Sequence, residues 1–369
     1  MTAGAVSGAS EVGPESASPL LEVRHLVKHY RLRRGRLPAK GHPATVIRAV
    51  DDVTFSIDRG KTLGLVGESG CGKSTLGRVL LRLEKPNSGE VAFDGDEWLK
   101  KRGNELRHSR RNLQAIYQDP LASLDPRNRV AGTISEALEA HGLLAGRKER
   151  RERSVEVLES VGLTAEIGDR YPHELSGGQR QRVTIARAIS VGPKCLVCDE
   201  AVSALDVSVQ AQVLNLLRQL QETLGISYLF ISHGLAAVRH LADEIAVMYL
   251  GRIVESAPAE QLFSQPAHPY TKALLASVPV PDPTVEQVQG SLRGEVPSAT
   301  ELPSGCRYRL RCPRAESICA EVEPDLVSSG IQHAVACHFP DLGHRTSVDL
   351  LRSRSGESSA ARNGIEERP

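Results

Sequence analysis

Short apolar runs bounded by turn residues alternate along this chain with stretches in which apolar positions recur every three or four residues. Leu21 to Val27, Ala49 to Ile57, Leu63 to Val66, Glu90 to Phe93, Leu113 to Tyr117, Leu196 to Glu200 and Tyr228 to Ile231 have the length and flanks of strands. Leu76, Val79, Leu80 and Leu83 share one helical face. Val130 to Val161 reads as helical with Gly162 as its stop, and Val213, Leu216, Leu217, Leu220 and Leu224 recur at helical spacing before Gly225. Ile245 to Tyr249 and Arg252 to Val254 flank Gly251 as a hairpin. Strands alternating with helices in this way predict an α/β fold with a mainly parallel sheet covered on both faces, and phosphate chemistry at its strand ends.

The chemistry fits that expectation. Gly67, Glu68, Ser69, Gly70, Cys71, Gly72, Lys73, Ser74 and Thr75 lie between the strand ending at Val66 and the helix carrying Leu76. Glycines there let backbone N–H groups turn inward around a polyphosphate, the helix points its positive end at the charge, and Lys73 reaches the outer phosphates. Ser74 is placed to ligate Mg²⁺. Downstream, Leu175-Ser176-Gly177-Gly178-Gln179 begins a helix-like stretch, and the strand from Leu196 ends in two acids, Asp199 and Glu200.

Together these segments resemble the ATP-binding cassette of ABC transporters over roughly Leu21 to Val254. The resemblance implies an ABC-type P-loop nucleotide-binding domain with a helical subdomain, and an ATPase using ATP and Mg²⁺. It makes Glu200 the general base for the attacking water, with Asp199 at the magnesium; the alternative is an acidic strand end capping a helix. Gln118, before Asp119-Pro120, matches the loop whose amide binds Mg²⁺ and water, although a Gln there also suits a turn. His233 matches the switch histidine that contacts the γ-phosphate. The family commonly has Asp after it, where this chain has Gly234. Tyr30 occupies the position of an adenine-stacking ring in a chain only 4% aromatic, with edge packing as the other reading. Ser176, Gly177, Gly178 and Gln179 would meet the γ-phosphate of the nucleotide on an opposite cassette, and Asp206 in Ser203-Ala204-Leu205-Asp206 would lie across the same interface.

A single phosphate loop and a single signature segment mean half of a two-cassette machine. Leu121-Ala122-Ser123-Leu124-Asp125-Pro126-Arg127 is similar to peptide-importer cassettes. Ala267-His268-Pro269-Tyr270-Thr271-Lys272-Ala273-Leu274-Leu275, Pro279 to Pro283 and Gly294-Glu295-Val296-Pro297-Ser298 resemble the C-terminal extension of oligopeptide and dipeptide importer ATPases. The resemblance narrows to the peptide and nickel importer subfamily, and Arg78-Val79-Leu80-Leu81-Arg82-Leu83 with the long early loop favours the second of its paired ATPases. Implied partners are a homologous ATPase or a second copy, two permeases and an extracellular or periplasmic solute-binding protein, with no nucleic acid. The expected organisation is a disordered tail over 1–19, the cassette over 20–265 with its helical subdomain at about 119–190, an extension over 266–345, and a disordered tail over 346–369.

Composition restricts the alternatives. The 369 residues are 40% hydrophobic, which suits a buried core, and a net charge of +1 gives no global field for nucleic acid. Arg31, Arg33, Arg34, Arg36 and Lys40 form a local basic run that reads as a solvated loop or a surface meeting phosphate or anionic lipid. No run approaches the roughly eighteen apolar residues of a membrane span, and the first 23 residues hold no Lys or Arg. The expected location is the cytoplasmic side of the cell membrane, held there by partners. A soluble cassette ATPase acting on nucleic acid or ribosomes would carry two cassettes or a coiled-coil insertion, and neither is visible. A non-hydrolysing scaffold would not need Lys73, Asp199, Glu200 and His233 together.

Cysteines add one more expectation. Cys71, Cys195 and Cys198 belong to the nucleotide core, the last two as small apolar residues. Cys306, Cys312, Cys319 and Cys337 cluster in the extension of a chain expected in a reducing compartment, so a metal site competes with free thiols. Without paired zinc-finger spacing, and with Pro313 after Cys312, a structural 4Fe-4S cluster is favoured over zinc.

Overall fold

A computed structural model describes residues 18–32, 45–277, 294–330 and 332–341. Positions 1–17 and 342–369, the basic positions Arg33, Arg34, Arg36 and Lys40, and the run Pro279 to Pro283 lie outside the described residues.

The strands separate into two sheets. Strands β1 (Leu21–Leu32), β2 (Thr45–Ile57), β4 (Ser88–Phe93) and β5 (Asp96–Glu97) form an antiparallel sheet in the order β2-β1-β4-β5. Eight others form the second sheet. Its parallel part runs β9 (Glu244–Tyr249), β3 (Thr62–Val66), β8 (Ser227–Ile231), β7 (Cys195–Asp199), β6 (Leu113–Ile116). Beyond β9 it continues antiparallel through β10 (Arg252–Pro258), β12 (His333–Val335) and β11 (Val327–Gly330). The expected parallel core and the Gly251 hairpin are both present. The antiparallel sheet and the two strands contributed from the extension were not foreseen.

Side-chain alternation explains why the parallel strands read as unbroken apolar runs. Leu196 and Cys198 of β7, Tyr228 and Phe230 of β8, and Ile245 and Val247 of β9 point to one face, into a core shared with the helical subdomain. Cys195 and Val197, Leu229 and Ile231, and Ala246 and Met248 point to the other. With both faces covered, neither set can be polar. On the second face lies α1 (Lys73–Leu80), whose Leu76, Val79 and Leu80 are fully buried between the two sheets. Trp98 closes that layer, its indole N–H donating to Leu80 O at 2.7 Å.

On the first face, α7 (Val207–Leu224) buries Val213, Leu216, Leu217 and Leu220, and Gly225 ends it in the left-handed conformation, as the spacing predicts. Each such buried leucine or valine contributes on the order of 1.5–3 kcal/mol. The helical subdomain differs from the sequence reading in one respect. The expected continuous stretch is two helices, α4 (Val130–Ala140) and α5 (Arg147–Ser160), and α2 (Gly103–Ser109) and α3 (Pro120–Ser123) precede them. The break is built from Gly142 and Leu144, both at positive φ, which turn the chain back so that Leu138 and Leu158 pack in one core. Gly162, at φ 73°, is the stop that the sequence indicated. Then α6 (Gly177–Ser190) returns the chain to β7.

The remaining helices are α8 (Leu235–Leu241), α9 (Ala259–Ser264), α10 (Pro269–Ala276) and the short α11 (Ile318–Glu321). The extension is joined to the cassette through Glu255 of β10, which is fully buried. Its carboxylate accepts from the amides of Ala267 and His268 at 2.7 and 2.9 Å and pairs with His333 Nε2 at 2.8 Å. Among the described residues no helix is long and apolar enough to cross a membrane.

Candidate active site

The loop from Gly67 to Gly72 connects β3 to α1, at the carboxyl end of the parallel strands. Other strands approach its backbone closely. A Cβ at Gly72 would stand 1.8 Å from Ala49 O of β2, and one at Gly67 would stand 2.2 Å from Met248 O of β9. Gly72 caps α1 at φ 113° without a side-chain cap, and the first turn holds no acidic residue. The N–H groups of that turn have no partner within the helix and are suited to an anion. Lys73 is 4% exposed, and its ammonium donates to Gly67 O at 2.7 Å and Glu68 O at 3.0 Å. Beside it, burial pushes the Cys71 thiol up, with the Lys73 charge opposing.

The two acids stand at the end of β7. Ser74 Oγ, from the first turn of α1, donates to Asp199 Oδ1 at 2.9 Å. Burial raises the Asp199 carboxyl pKa; the Ser74 bond opposes this and the nearby Glu200 charge adds to it. A half-buried carboxylate that resists ionisation, beside a hydroxyl and a second acid, is a donor set suited to a hard cation such as Mg²⁺. Glu200 has φ 52°, outside the usual range for a residue of its type, and its N–H donates to Ile231 O at 3.0 Å. That turn sets its carboxylate 3.6 Å from His233 Nδ1. After His233, the Gly234 N–H donates to Ser232 Oγ at 2.9 Å. Gln118 is exposed, two residues beyond the paired Ile116 and Cys198, so it and Glu200 extend neighbouring parallel strands.

Tyr30 reaches the same region from β1. Its hydroxyl donates to Glu84, and the Lys28 ammonium stands over its ring at 4.8 Å. Thr75, at the loop's end, is a further hydrogen-bonding neighbour.

Ser176 forms a capping box at the start of α6. Its Oγ accepts from the Gln179 N–H at 3.2 Å, and Gln179 Oε1 accepts from the Ser176 N–H at 3.0 Å. Gly177 and Gly178 lie against Leu205 and Val209, and Asp206 caps α7 by accepting from the Val209 N–H at 2.9 Å. Ser176, Gly177, Gly178, Gln179 and Asp206 thus form one group. Their described hydrogen bonds are to one another and to neighbouring residues of α6 and α7, and none reaches the loop from Gly67 to Thr75 of the same chain.

Two residues that no sequence pattern places at that loop do reach it. Tyr270 of α10 accepts from the Glu68 N–H, and Arg311 pairs with the Glu68 carboxylate. Each is separated from Glu68 by more than 200 positions, which hides the contact from any local pattern.

The metal expectation for the extension is not supported. Cys306, Cys312, Cys319 and Cys337 are free thiols within electrostatic reach of one another. Among the described residues, however, no group of three or more His, Cys, Asp or Glu is arranged to hold a metal ion. Burial pushes the Cys306 thiol up to about 11 and raises Cys312 and Cys337, which disfavours their thiolate forms. Cys195 and Cys198 are fully buried, as expected of small apolar residues.

Comparison with known proteins places this geometry. The ABC transporter family profile matches residues 50–203, and that of the oligopeptide/dipeptide transporter C-terminal region matches residues 254–319. The chain is 50% identical over 319 residues to a probable peptide ABC transporter ATP-binding protein, y4tS, of Sinorhizobium fredii, covering 86% of this chain and 89% of that one. It is 46% identical over 323 residues to the oligopeptide transport ATP-binding protein AppF of Bacillus subtilis, covering 87% of this chain and 97% of that one. Among solved structures it is similar to cbiO1 from Clostridium perfringens, part of the ABC transporter complex cbiONQ, with TM-score 0.56 and 26% identity over 67% of this chain and 91% of that one. A dimeric post-hydrolysis state of the ATP-binding cassette MJ0796 bound to ADP and Pi matches at TM-score 0.56 and 26% identity, over 65% and 98% of the two chains. This chain thus belongs to the ABC transporter ATP-binding proteins that carry the oligopeptide/dipeptide transporter C-terminal region.

Proposed function

We propose that this chain hydrolyses ATP to power peptide import through a membrane ABC transporter. The observation that carries the reading is the meeting of Ser74 and Asp199 at 2.9 Å, with Glu200 adjacent and His233 at 3.6 Å from it, in a chain whose relatives are named for peptide transport. The loop from Gly67 to Thr75 binds the phosphates with its N–H groups, Lys73 leaves the Gly67 and Glu68 carbonyls for the β- and γ-phosphate oxygens, and Tyr30 faces the adenine. Ser74, Asp199 and Gln118 would hold Mg²⁺, which supplies charge neutralisation at the phosphates when bound.

In the reaction a water oxygen forms a bond to the γ-phosphorus while the bond from that phosphorus to the bridging oxygen of ADP breaks. Glu200 orients the water and accepts its proton, and His233 holds the γ-phosphate. The group at Ser176, Gly177, Gly178, Gln179 and Asp206 faces outward, toward the nucleotide of a second cassette, which is a homologous ATPase or another copy of this chain. The dimeric MJ0796 cassette with ADP and Pi supports that pairing. Two permeases and a solute-binding protein complete the transporter, with the ATPase on the cytoplasmic face of the membrane and no part for nucleic acid. The cassette would span 20–265, with the helical subdomain near 119–190 and the extension over 266–345.

Glu200→Gln in the reconstituted transporter is the test. Turnover should fall by about 10²–10⁴-fold while the ATP-bound pair persists, because the charge is lost and the shape is kept. Unchanged turnover would remove Glu200 from its role.

A further inference from the structure

Every hydrogen-bonding group of Glu68 is engaged. Its carbonyl oxygen accepts from Lys73 at 3.0 Å, its N–H donates to Tyr270 Oη at 2.9 Å, and its two carboxylate oxygens receive the Arg311 fork at 2.6 and 3.0 Å. The carbonyl also accepts from the Cys71 N–H at 3.3 Å, and of the four partners Tyr270 and Arg311 belong to the extension. The Arg311 side chain is 3% exposed and the Glu68 side chain 18%, so the ion pair is withdrawn from solvent. Its surroundings fix its direction. Tyr249 of β9, Tyr270 of α10 and Tyr308 form a three-ring cluster with centroids 4.6, 5.3 and 5.4 Å apart. The guanidinium lies 5.9 Å from the centres of both the Tyr249 and Tyr308 rings. Tyr249 follows Met248, whose carbonyl backs onto Gly67, so strand, ring cluster and loop are in one continuous contact.

We propose that Arg311 and Tyr270 are positioning residues for nucleotide binding, holding the phosphate loop from its outer side and neutralising the one acid within it. The proposal rests on the reading above that this loop binds MgATP. The chemistry follows from charge. A polyphosphate approaching the loop meets the Glu68 carboxylate, and an unpaired acid there would oppose it and compete for Lys73. Arg311 cancels that charge in a bidentate geometry that a lysine does not reproduce. Tyr270 holds the Glu68 N–H and so anchors the start of the loop. The extension thereby supports the nucleotide site through Glu68.

The experiment uses the full chain and measures its MgATP dissociation constant by equilibrium titration at low and high salt, beside its unliganded melting temperature. Arg311→Met should weaken MgATP binding by about tenfold, most strongly at low salt. Adding Glu68→Gln to it should return the affinity to within about threefold of Glu68→Gln alone, since the opposing charge is then gone. A residue that merely ties the extension to the cassette would not give that rescue. Unchanged affinity in Arg311→Met, or a double variant as weak as Arg311→Met, overturns the proposal. Should Arg311→Met not fold, Tyr270→Phe carries the same reading: about threefold weaker MgATP binding supports the proposal and unchanged binding defeats it. An unsubstituted chain that binds no MgATP overturns the ATPase reading and this proposal with it, an outcome distinct from selective failure of the variants.

Discussion

At position 72 the chain has room for a hydrogen atom and nothing larger. The Ala49 carbonyl would lie 1.8 Å from a Cβ there, and the backbone sits at φ 113°. Gly72→Ala should therefore destabilise the protein by about 1–3 kcal/mol through strain alone, with a further loss from displacing β2. Chemical denaturation with and without MgATP checks this: the midpoint should fall, and the stabilisation by nucleotide should largely vanish. A midpoint equal to wild type would mean that the loop is not held against β2. The strand-loop-helix arrangement around Gly67 to Thr75 was legible in the sequence because its requirements are local: glycines, a lysine and a helix start fall within nine residues. Glu68 shows the limit. Its type and place were plain, but its partners come from positions 270 and 311, brought near only by the fold.

Among the elements, α7 separates a structural duty from a proposed functional one. Asp206 accepts from the Val209 N–H and from Ser208 Oγ at 2.8 Å, and the first of these bonds does most to hold its carboxyl below the usual range. Asp206→Ala should lower the melting temperature by about 2–4 °C through loss of the cap, while Asp206→Asn keeps the cap and leaves it nearly unchanged. If Asp206 also acts across a cassette interface, Asn will lower ATP turnover of the assembled transporter without that thermal loss. Equal melting temperatures for the Ala and Asn variants would show that the cap contributes nothing. The helices themselves were legible wherever apolar spacing was regular, as in α1 and α7. The break between α4 and α5 was not, because His141 to Gly146 carries only a modest glycine signal inside a long periodic stretch. Similarly β11 and β12 are four and three residues long, too short to announce themselves, and owe their strand form to pairing with each other and with β10.

Across the whole molecule, the contact between cassette and extension should respond to acid. Burial lowers the His268 pKa to about 4, so the folded chain keeps it neutral, with Nδ1 accepting from the Tyr270 N–H. The unfolded chain protonates it near 6.5. Between those values the unfolded state binds the extra proton, so stability falls as pH drops through that window. Burial also acts to raise the Glu255 carboxyl, but the His333 bond and the Ala267 and His268 amides outweigh it and hold it below the usual range. Its contribution is present above the unfolded carboxylate pKa and is lost as pH falls through the folded value, so both groups make acid destabilising. Melting curves from pH 8 to pH 5 should show a loss of about 2 kcal/mol from His268. His268→Asn, which cannot ionise, should flatten that segment; an unaltered slope would assign the effect elsewhere.

The burial of Glu255 sets the smallest part of this protein that can stand by itself. A chain cut after α9 would keep the glutamate and lose Ala267, His268 and His333 together, stripping its carboxylate of these partners and uncovering it along β12. Grafting the appended region onto another cassette would thus have to carry its receiving carboxylate with it.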